Sequence, residues 1–155
     1  MDVLITHPTD ENALIGLFDQ LIAKMRSEGF LTHDLTFKKD GNQKKYLGVC
    51  KMLPKDSSSI PAKHRRLDII VVPPKEKATA LMYFTGSAHF NRSMRLLATK
   101  MGMSLSEHAL KKNVLRGGKS NKEKLNEGEI LDTPTEESMF YHLGLPFRQP
   151  NERDH

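Results

Sequence analysis

An α+β fold in two small lobes, residues 1–74 and 75–155, is what this sequence predicts, and three observations predict it. Short, dense apolar runs read as strands at Asp2 to His7, Tyr46 to Leu53 and Arg66 to Val72. Between the first two lies a stripe at helical spacing: Leu14, Leu17, Phe18, Leu21, Ile22 and Met25. Pro73-Pro74 closes the strongest run and marks a lobe boundary, since proline stops strands and helices alike. The apolar fraction is 37% of 155 residues, which suits thin cores on a mixed framework better than one large interior.

The elements follow in order. The first strand stops at Pro8, and Thr9 is placed to cap a helix with Asp10 and Glu11 in its first turn. That helix should run to about Glu28, with Gly29 ending it. Lys38 to Lys45 is a polar turn around Asp40-Gly41, and Lys55 to Lys63 is a loop rich in Ser and Pro. The second lobe should open with a strand, Thr79 to Phe84, and turn at Gly86-Ser87 into a helix from Ala88 to Met101. Short strands near Ser104 to Leu110 and Gly128 to Leu131 flank a basic loop, Lys111 to Lys124. Thr133-Pro-Thr-Glu136 reads as a capping box with proline in the first helical position, starting a helix that ends near Gly144. The tail after Pro146 should be polar and extended.

A formal net charge of +5 favours an anionic partner such as nucleic acid. Cys50 is the only cysteine, so no internal disulfide can form, and its apolar neighbours suit a small core residue. Met1-Asp2 does not open a signal peptide, and no apolar run approaches the length of a membrane span. A reducing compartment and no membrane partner are therefore expected.

The strand Arg66-Leu-Asp-Ile-Ile-Val-Val72 carries the sharpest chemical signal. Period-two alternation puts Arg66, Asp68, Ile70 and Val72 on one face. A carboxylate among β-branched neighbours is costly unless it is paired or binds a cation. Two readings stand: a structural Arg66–Asp68 pair, or a divalent-metal ligand on a rigid strand. Asp2 repeats the pattern at the head of an apolar strand, and two carboxylates on neighbouring strands are what two-metal phosphoryl transfer needs. The plainer alternative for Asp2 is a solvated strand end. In the second lobe Phe90, Met94, Leu97 and Met101 form a core stripe, while Asn91, Arg92 and Arg95 lie on another face. That face serves a groove or simply meets solvent. Tyr83-Phe84-Thr85-Gly86 joins two aromatics, which can stack on a sugar or base, to a glycine that admits close approach to the backbone. Lys111, Lys112, Arg116, Lys119, Lys122 and Lys124 form either a phosphate-contacting arm or a solvated loop.

These residues together closely resemble the polymerase X family of DNA repair polymerases. The matching stretches are Asp2-Val-Leu-Ile-Thr-His-Pro8, Tyr46-Leu-Gly-Val-Cys50, His64-Arg-Arg-Leu-Asp-Ile69 and Tyr83-Phe-Thr-Gly-Ser87. A narrower match to one branch is carried by Gly86-Ser-Ala-His-Phe-Asn-Arg-Ser-Met-Arg95, Gly102-Met-Ser-Leu-Ser-Glu-His-Ala-Leu110 and Leu143-Gly-Leu-Pro146. The resemblance implies a partial nucleotidyltransferase palm sheet with helices over 1–74 and a small α+β thumb lobe, which selects the nucleotide, over 75–155. It implies gap-filling DNA synthesis in nuclear repair, with Mg²⁺ or Mn²⁺ as cofactor, and gapped or primed DNA and deoxynucleoside triphosphates as partners. Asp68 would bind the catalytic metal and take the primer hydroxyl proton, and Asp2 would bridge both metals. Arg66 would pair with the aspartates when the enzyme is open. Tyr83, Phe84 and Gly86 would wall the nucleotide's sugar, and Ala88 and Asn91 would lie against its base. Arg92 and Arg95 would meet the templating pair, and Glu107 and His108 the template strand.

The chain departs from the family pattern as well. The family palm carries Gly-Asp-x-Asp, and Met1 stands at the third position of that motif. The first metal-binding aspartate and the upstream triphosphate clamp are then missing, so the expectation is that this chain alone is nearly inactive. Two other readings remain: a DNA- or nucleotide-binding fragment without catalysis, and a template-independent nucleotidyltransferase.

Overall fold

The computed structural model describes residues 1–36, 44–51, 63–118 and 123–154. The Asp40-Gly41 turn, most of the Lys55 to Lys63 loop, the end of the second expected strand, and Lys119 and Lys122 lie outside them. The chain divides into two compact units, Met1–Pro74 and Lys75–His155. No helix among the described residues is long and apolar enough to cross a membrane.

The first unit is one sheet with one helix. Its described strands are β1 (Asp2–Ile5), β2 (Leu31–Thr36), β3 (Lys45–Lys51) and β4 (His64–Val71), in the order β1-β4-β3-β2. β1 runs parallel to β4, and the other pairs are antiparallel. In β4, Leu67 and Ile69 point into the core beside Tyr46 and Cys50. The expected alternation therefore holds, with Arg66 and Asp68 on the opposite face. β2 is not foreseen from the sequence: Leu31 is buried but Leu35 is exposed, and register shifts interrupt its pairing with β3, so no alternation marks it.

Helix α1 spans Leu17–Ser27, not Thr9 to Glu28. Its late start has a local cause. His7 Nδ1 accepts the Asp10 amide at 2.9 Å, and Asp10 Oδ1 accepts the Asn12 amide at 2.8 Å, so these donors need no helix. Gly16 then takes φ of 78°, outside the helical region, and the helix begins after it. Phe18 and Ile22 are buried against the sheet, while Leu17 and Leu21 stay exposed on the flank of the expected stripe.

Tyr46 is the keystone of this core. It is fully buried, and its hydroxyl crosses to β2 to donate to Asp34 Oδ1 at 2.8 Å. Its ring lies over Gly48, where any Cβ would collide with it. Arg26 closes the network with two bonds to Asp34, at 3.0 and 2.9 Å. Partial burial opposes the Asp34 charge, but the bonds from Tyr46 and Arg26 outweigh it and hold its pKa below the usual carboxylate value. Burial, then the Asp34 bond, push the Tyr46 phenol up to about 12.

The second unit contains α2 (Lys77–Thr85), α3 (Ala88–Lys100) and α4 (Glu136–His142). Its described strands are β5 (Ser104–Leu105), β6 (Leu110–Lys112), β7 (Arg116–Gly117), β8 (Glu123–Lys124) and β9 (Glu129–Ile130). Sheet β5-β6-β9 is antiparallel, and β7 pairs with β8 as a ribbon. The core gathers Met82, Phe90, Met94, Ala98, Leu110, Met139 and Phe140.

Four expectations are corrected here. Thr79 to Phe84 is helix, not strand: Ala78, Thr79, Ala80 and Met82 are buried together while Leu81 is exposed, and an apolar run this short carries no period that separates the two. On α3, Ala98 rather than Met101 completes the buried stripe, and Met101 lies exposed beyond the helix end. Ser104 to Leu110 is two strands, because Ser106 Oγ accepts the amides of His108 and Ala109 and turns the chain. The capping box is formed by Thr135 with Ser138, two residues later than expected, and Thr133 is buried instead.

The tail is a fifth correction. It turns at Pro150–Glu152 and inserts Arg153, which is 0% exposed. Arg153 Nη1 donates to Glu136 Oε1 at 2.6 Å, and Nε and Nη2 donate to the Arg148 carbonyl at 3.0 and 2.9 Å. The guanidinium lies 5.7, 5.4 and 5.6 Å from the rings of Phe90, Phe140 and Phe147.

The raised Tyr46 pKa gives a signed prediction. The folded chain holds this proton more tightly than the unfolded chain, so its contribution is whole below pH 10.0 and is lost as the pH rises toward about 12. Urea unfolding across that window should show a steeper loss of stability for the wild type than for Tyr46→Phe. Parallel pH profiles would contradict the assignment.

Candidate functional site

Each unit carries its own set of candidate residues. In the first, the parallel register pairs Asp2 with Asp68 across β1 and β4. Main-chain bonds fix that register: the Asp68 amide donates to the Met1 carbonyl at 2.9 Å, and the Met1 ammonium donates to the Arg66 carbonyl at 3.0 Å. Two carboxylate-bearing residues thus sit side by side on the face away from the core.

Arg66 shares that face and holds both oxygens of Asp68. Its Nε donates to Oδ1 at 3.0 Å and its Nη2 to Oδ2 at 3.1 Å. The Asp68 side chain is 15% exposed, but that of Arg66 is 62% exposed. The Asp68 bond, and more weakly the charge of Asp2, raise the Arg66 pKa further above its usual value. Because the Arg66 end of the pair is open to solvent, the contact is weak, and it holds Asp68 in one rotamer without locking it there. Among the described residues, no three His, Cys, Asp or Glu side chains gather as a metal cage. Asp2 and Asp68 are hard oxygen donors of the type that magnesium takes, and Arg66 now engages one of them.

The second unit presents a groove of about 590 Å³, lined by Tyr83, Phe84, Thr85, Gly86, Ser87, Ala88, Asn91, Arg92 and Arg95. The fold thereby unites every residue that the sequence assigned to the nucleotide and the templating pair. α2 ends at Thr85, and Gly86 turns the chain with φ of 74°, a conformation that favours glycine. The Gly86–Ser87 peptide is cis. Ser87 Oγ caps α3 by accepting the Phe90 amide at 3.3 Å. Tyr83 and Phe84 meet edge to face, with centroids 5.0 Å apart. Asn91 Nδ2 donates to the Tyr83 carbonyl at 2.6 Å, which ties α3 back to the last turn of α2. A carboxamide carries two N–H donors, so this bond does not exhaust it. Arg92 and Arg95 are exposed along the same helix.

Glu107 and His108 do not join that lining. They sit on the turn between β5 and β6, where His108 Nδ1 is 2.7 Å from Glu76 Oε2 and its Nε2 is 3.8 Å from Glu107 Oε1. Two cations at the start of the basic loop are paired with glutamates. Lys111 reaches Glu127 at 2.8 Å and Lys112 reaches Glu129 at 3.3 Å. Bonds from Lys111 hold the Glu127 pKa low, and bonds from Asn113 and Lys112 do the same for Glu129.

Arg153 was not singled out from the sequence, and Glu136 was read only as the acidic member of a capping box, not as the partner of a buried arginine. No local pattern marks Arg153 as buried, since Phe90 lies far along the chain from its other aromatic partners, Phe140 and Phe147. Ser87 was visible only as part of a turn, although a serine before an apolar helix is a readable cap.

A family model of the DNA polymerase beta palm matches residues 1–74, and one of the DNA polymerase beta thumb matches residues 80–154. DNA polymerase lambda of Rattus norvegicus is 54% identical across 99% of this chain. DNA polymerase lambda of Arabidopsis thaliana is 27% identical across 99%. The chain spans 26% and 28% of the lengths of these relatives, about a quarter of each.

The groove depends on a residue that tolerates positive φ at its edge. Gly86→Ala should destabilise the second unit by about 1–3 kcal/mol, the cost of holding an L-residue in a positive-φ, extended-ψ conformation open essentially to glycine alone. Denaturant unfolding followed by circular dichroism measures this, and an unchanged midpoint would contradict it.

Proposed function

We infer the function from one premise: the chain belongs to the polymerase X family of DNA polymerases and is lambda-like within it. The reading best supported is template-directed DNA synthesis, adding a deoxynucleotide to a primer 3′-hydroxyl to fill short gaps in nuclear DNA repair. In this reading residues 1–74 serve as palm and 75–155 as the nucleotide-selecting lobe. The observation that carries it is the parallel register that sets Asp2 beside Asp68.

The donor chemistry of that pair fits Mg²⁺, or Mn²⁺, better than a soft metal. When bound, such ions supply charge neutralisation for the attacking and leaving oxygens of phosphoryl transfer. The protein's own residues do the rest. Asp68 is held on a central strand, where it can accept the primer hydroxyl proton, and Asp2 supplies the second carboxylate. Arg66 engages Asp68 and must release it before that carboxylate can meet a cation, which makes Arg66 a switch. Tyr83 and Phe84 brace each other as a wall for the sugar, and Gly86 lets the sugar approach the backbone. Ala88 leaves room for the base, and the second N–H of Asn91 can meet its edge. Arg92 and Arg95 supply exposed cations for the templating pair, and Glu107 with His108 faces the template strand.

A second reading is favoured by two observations. Arg66 holds both oxygens of Asp68, and no third carboxylate gathers with the pair among the described residues. A two-carboxylate site that is partly engaged suits a DNA- and nucleotide-binding unit with little catalysis.

Primer extension on a one-nucleotide gapped duplex with Mg²⁺ separates the two. If the chain is a polymerase, extension should fall about a hundredfold or more in Asp68→Ala, because a metal ligand is worth several kcal/mol of barrier. Equal rates in both proteins would sink the assignment of Asp68. Salt-dependent DNA binding with no extension would favour the second reading.

A further inference from the structure

We propose that Arg153 is a positioning residue that sets the edge of the nucleotide groove through Ser87 and Phe90; this rests on reading that groove as the nucleotide site. Two contacts run from Arg153 to the first turn of α3. Its main-chain carbonyl accepts the Ser87 amide at 3.3 Å, and its guanidinium lies 5.7 Å from the Phe90 ring. Ser87 and Phe90 are not remote from the groove. Ser87 lines it, and Phe90 directly precedes Asn91, whose amide donates to the Ser87 carbonyl at 2.9 Å. The residue that could meet the base is therefore two bonds from Arg153.

The placement is costly unless it is used. A guanidinium with no exposed surface requires every neighbour to be right, and here Glu136, the Arg148 carbonyl and three aromatic rings surround it. Glu136 is itself the first residue of α4, so the ion pair joins the start of α4 to the start of α3 by way of the tail. Lysine could keep the charge but could not donate to Glu136 and to the Arg148 carbonyl in the same planar geometry.

The test uses the full chain as wild type, Arg153→Lys and Glu136→Gln. Hydrogen exchange is read at Ser87, at Asn91 and at mid-helix Ala98, and affinity is read by titration with a fluorescent deoxyadenosine triphosphate and Mg²⁺. A positioning role predicts that Ser87 and Asn91 exchange about tenfold faster while Ala98 keeps its protection, and that nucleotide binding weakens by a similar factor. Uniform loss of protection through the second unit would reduce Arg153 to a general strut and overturn the proposal, as would unchanged exchange at Ser87. Should Arg153→Lys fail to fold, Glu136→Gln decides, since it keeps the arginine and the shape of its partner. If the wild type binds no nucleotide, the reading of the groove falls, while exchange at Ser87 and Asn91 still decides whether Arg153 sets its edge.

Discussion

Main-chain pairing along β4 is the constraint from which the first unit takes its form. The strand is bonded on both edges, to β1 in parallel and to β3 in antiparallel sense. Leu67 and Ile69 face the core, so a slip of one residue would bury Arg66 and Asp68 and expose both apolar side chains. Burying those charges would cost several kcal/mol each, far more than any loop rearrangement could return. The same register that protects the core therefore sets Asp68 beside Asp2, and no separate device is needed to align them. Among its described residues the second unit has no strand of comparable length. There the corresponding role falls to one buried arginine and the aromatic side chains around it.

The internal bonds of the candidate residues sort by exposure. Asp68 is held by Arg66, the Asn91 carboxamide by the Tyr83 carbonyl, and Lys111 and Lys112 by glutamates. Each ion pair among these has at least one partner open to solvent, which screens it and keeps it weak. A phosphate or a divalent cation can displace such a partner at small cost. The Arg153–Glu136 pair differs, because separating a buried pair strands a charge and costs about 3–5 kcal/mol. Weak exposed pairs serve as placeholders that exchange, whereas the buried pair acts as a strut. Exposure, rather than distance alone, separates the groups that can change partner from those that cannot.

Legibility in the sequence followed the range of the interactions. The β4 alternation, the end of α1 at Gly29 and the start of α3 after the Gly86-Ser87 turn were readable because their causes lie within a few residues. The failures had causes of other kinds. α2 reads as a strand in the sequence because so short an apolar run carries too little of either period to tell them apart. α1 was started too early because side-chain bonds from His7 and Asp10 compete with the helix, and spacing does not reveal them. The buried tail was invisible because the environment of Arg153 is assembled from Phe90, Glu136, Phe140 and Phe147. The groove lining was legible residue by residue; what the sequence left unseen was that Asn91 bonds α2 and that the tail supports Ser87.

The ring of Tyr46 lying over Gly48 has a consequence for how this chain can vary. The two residues share one volume on one face of β3, and a Cβ at position 48 would occupy space that the ring already fills. Neither position can then drift alone. A side chain can appear at 48 only after 46 has shrunk, and a smaller residue at 46 gives up the hydroxyl that meets Asp34. Intermediates with one change are less fit to fold than either end state, so the pair should be inherited as a block.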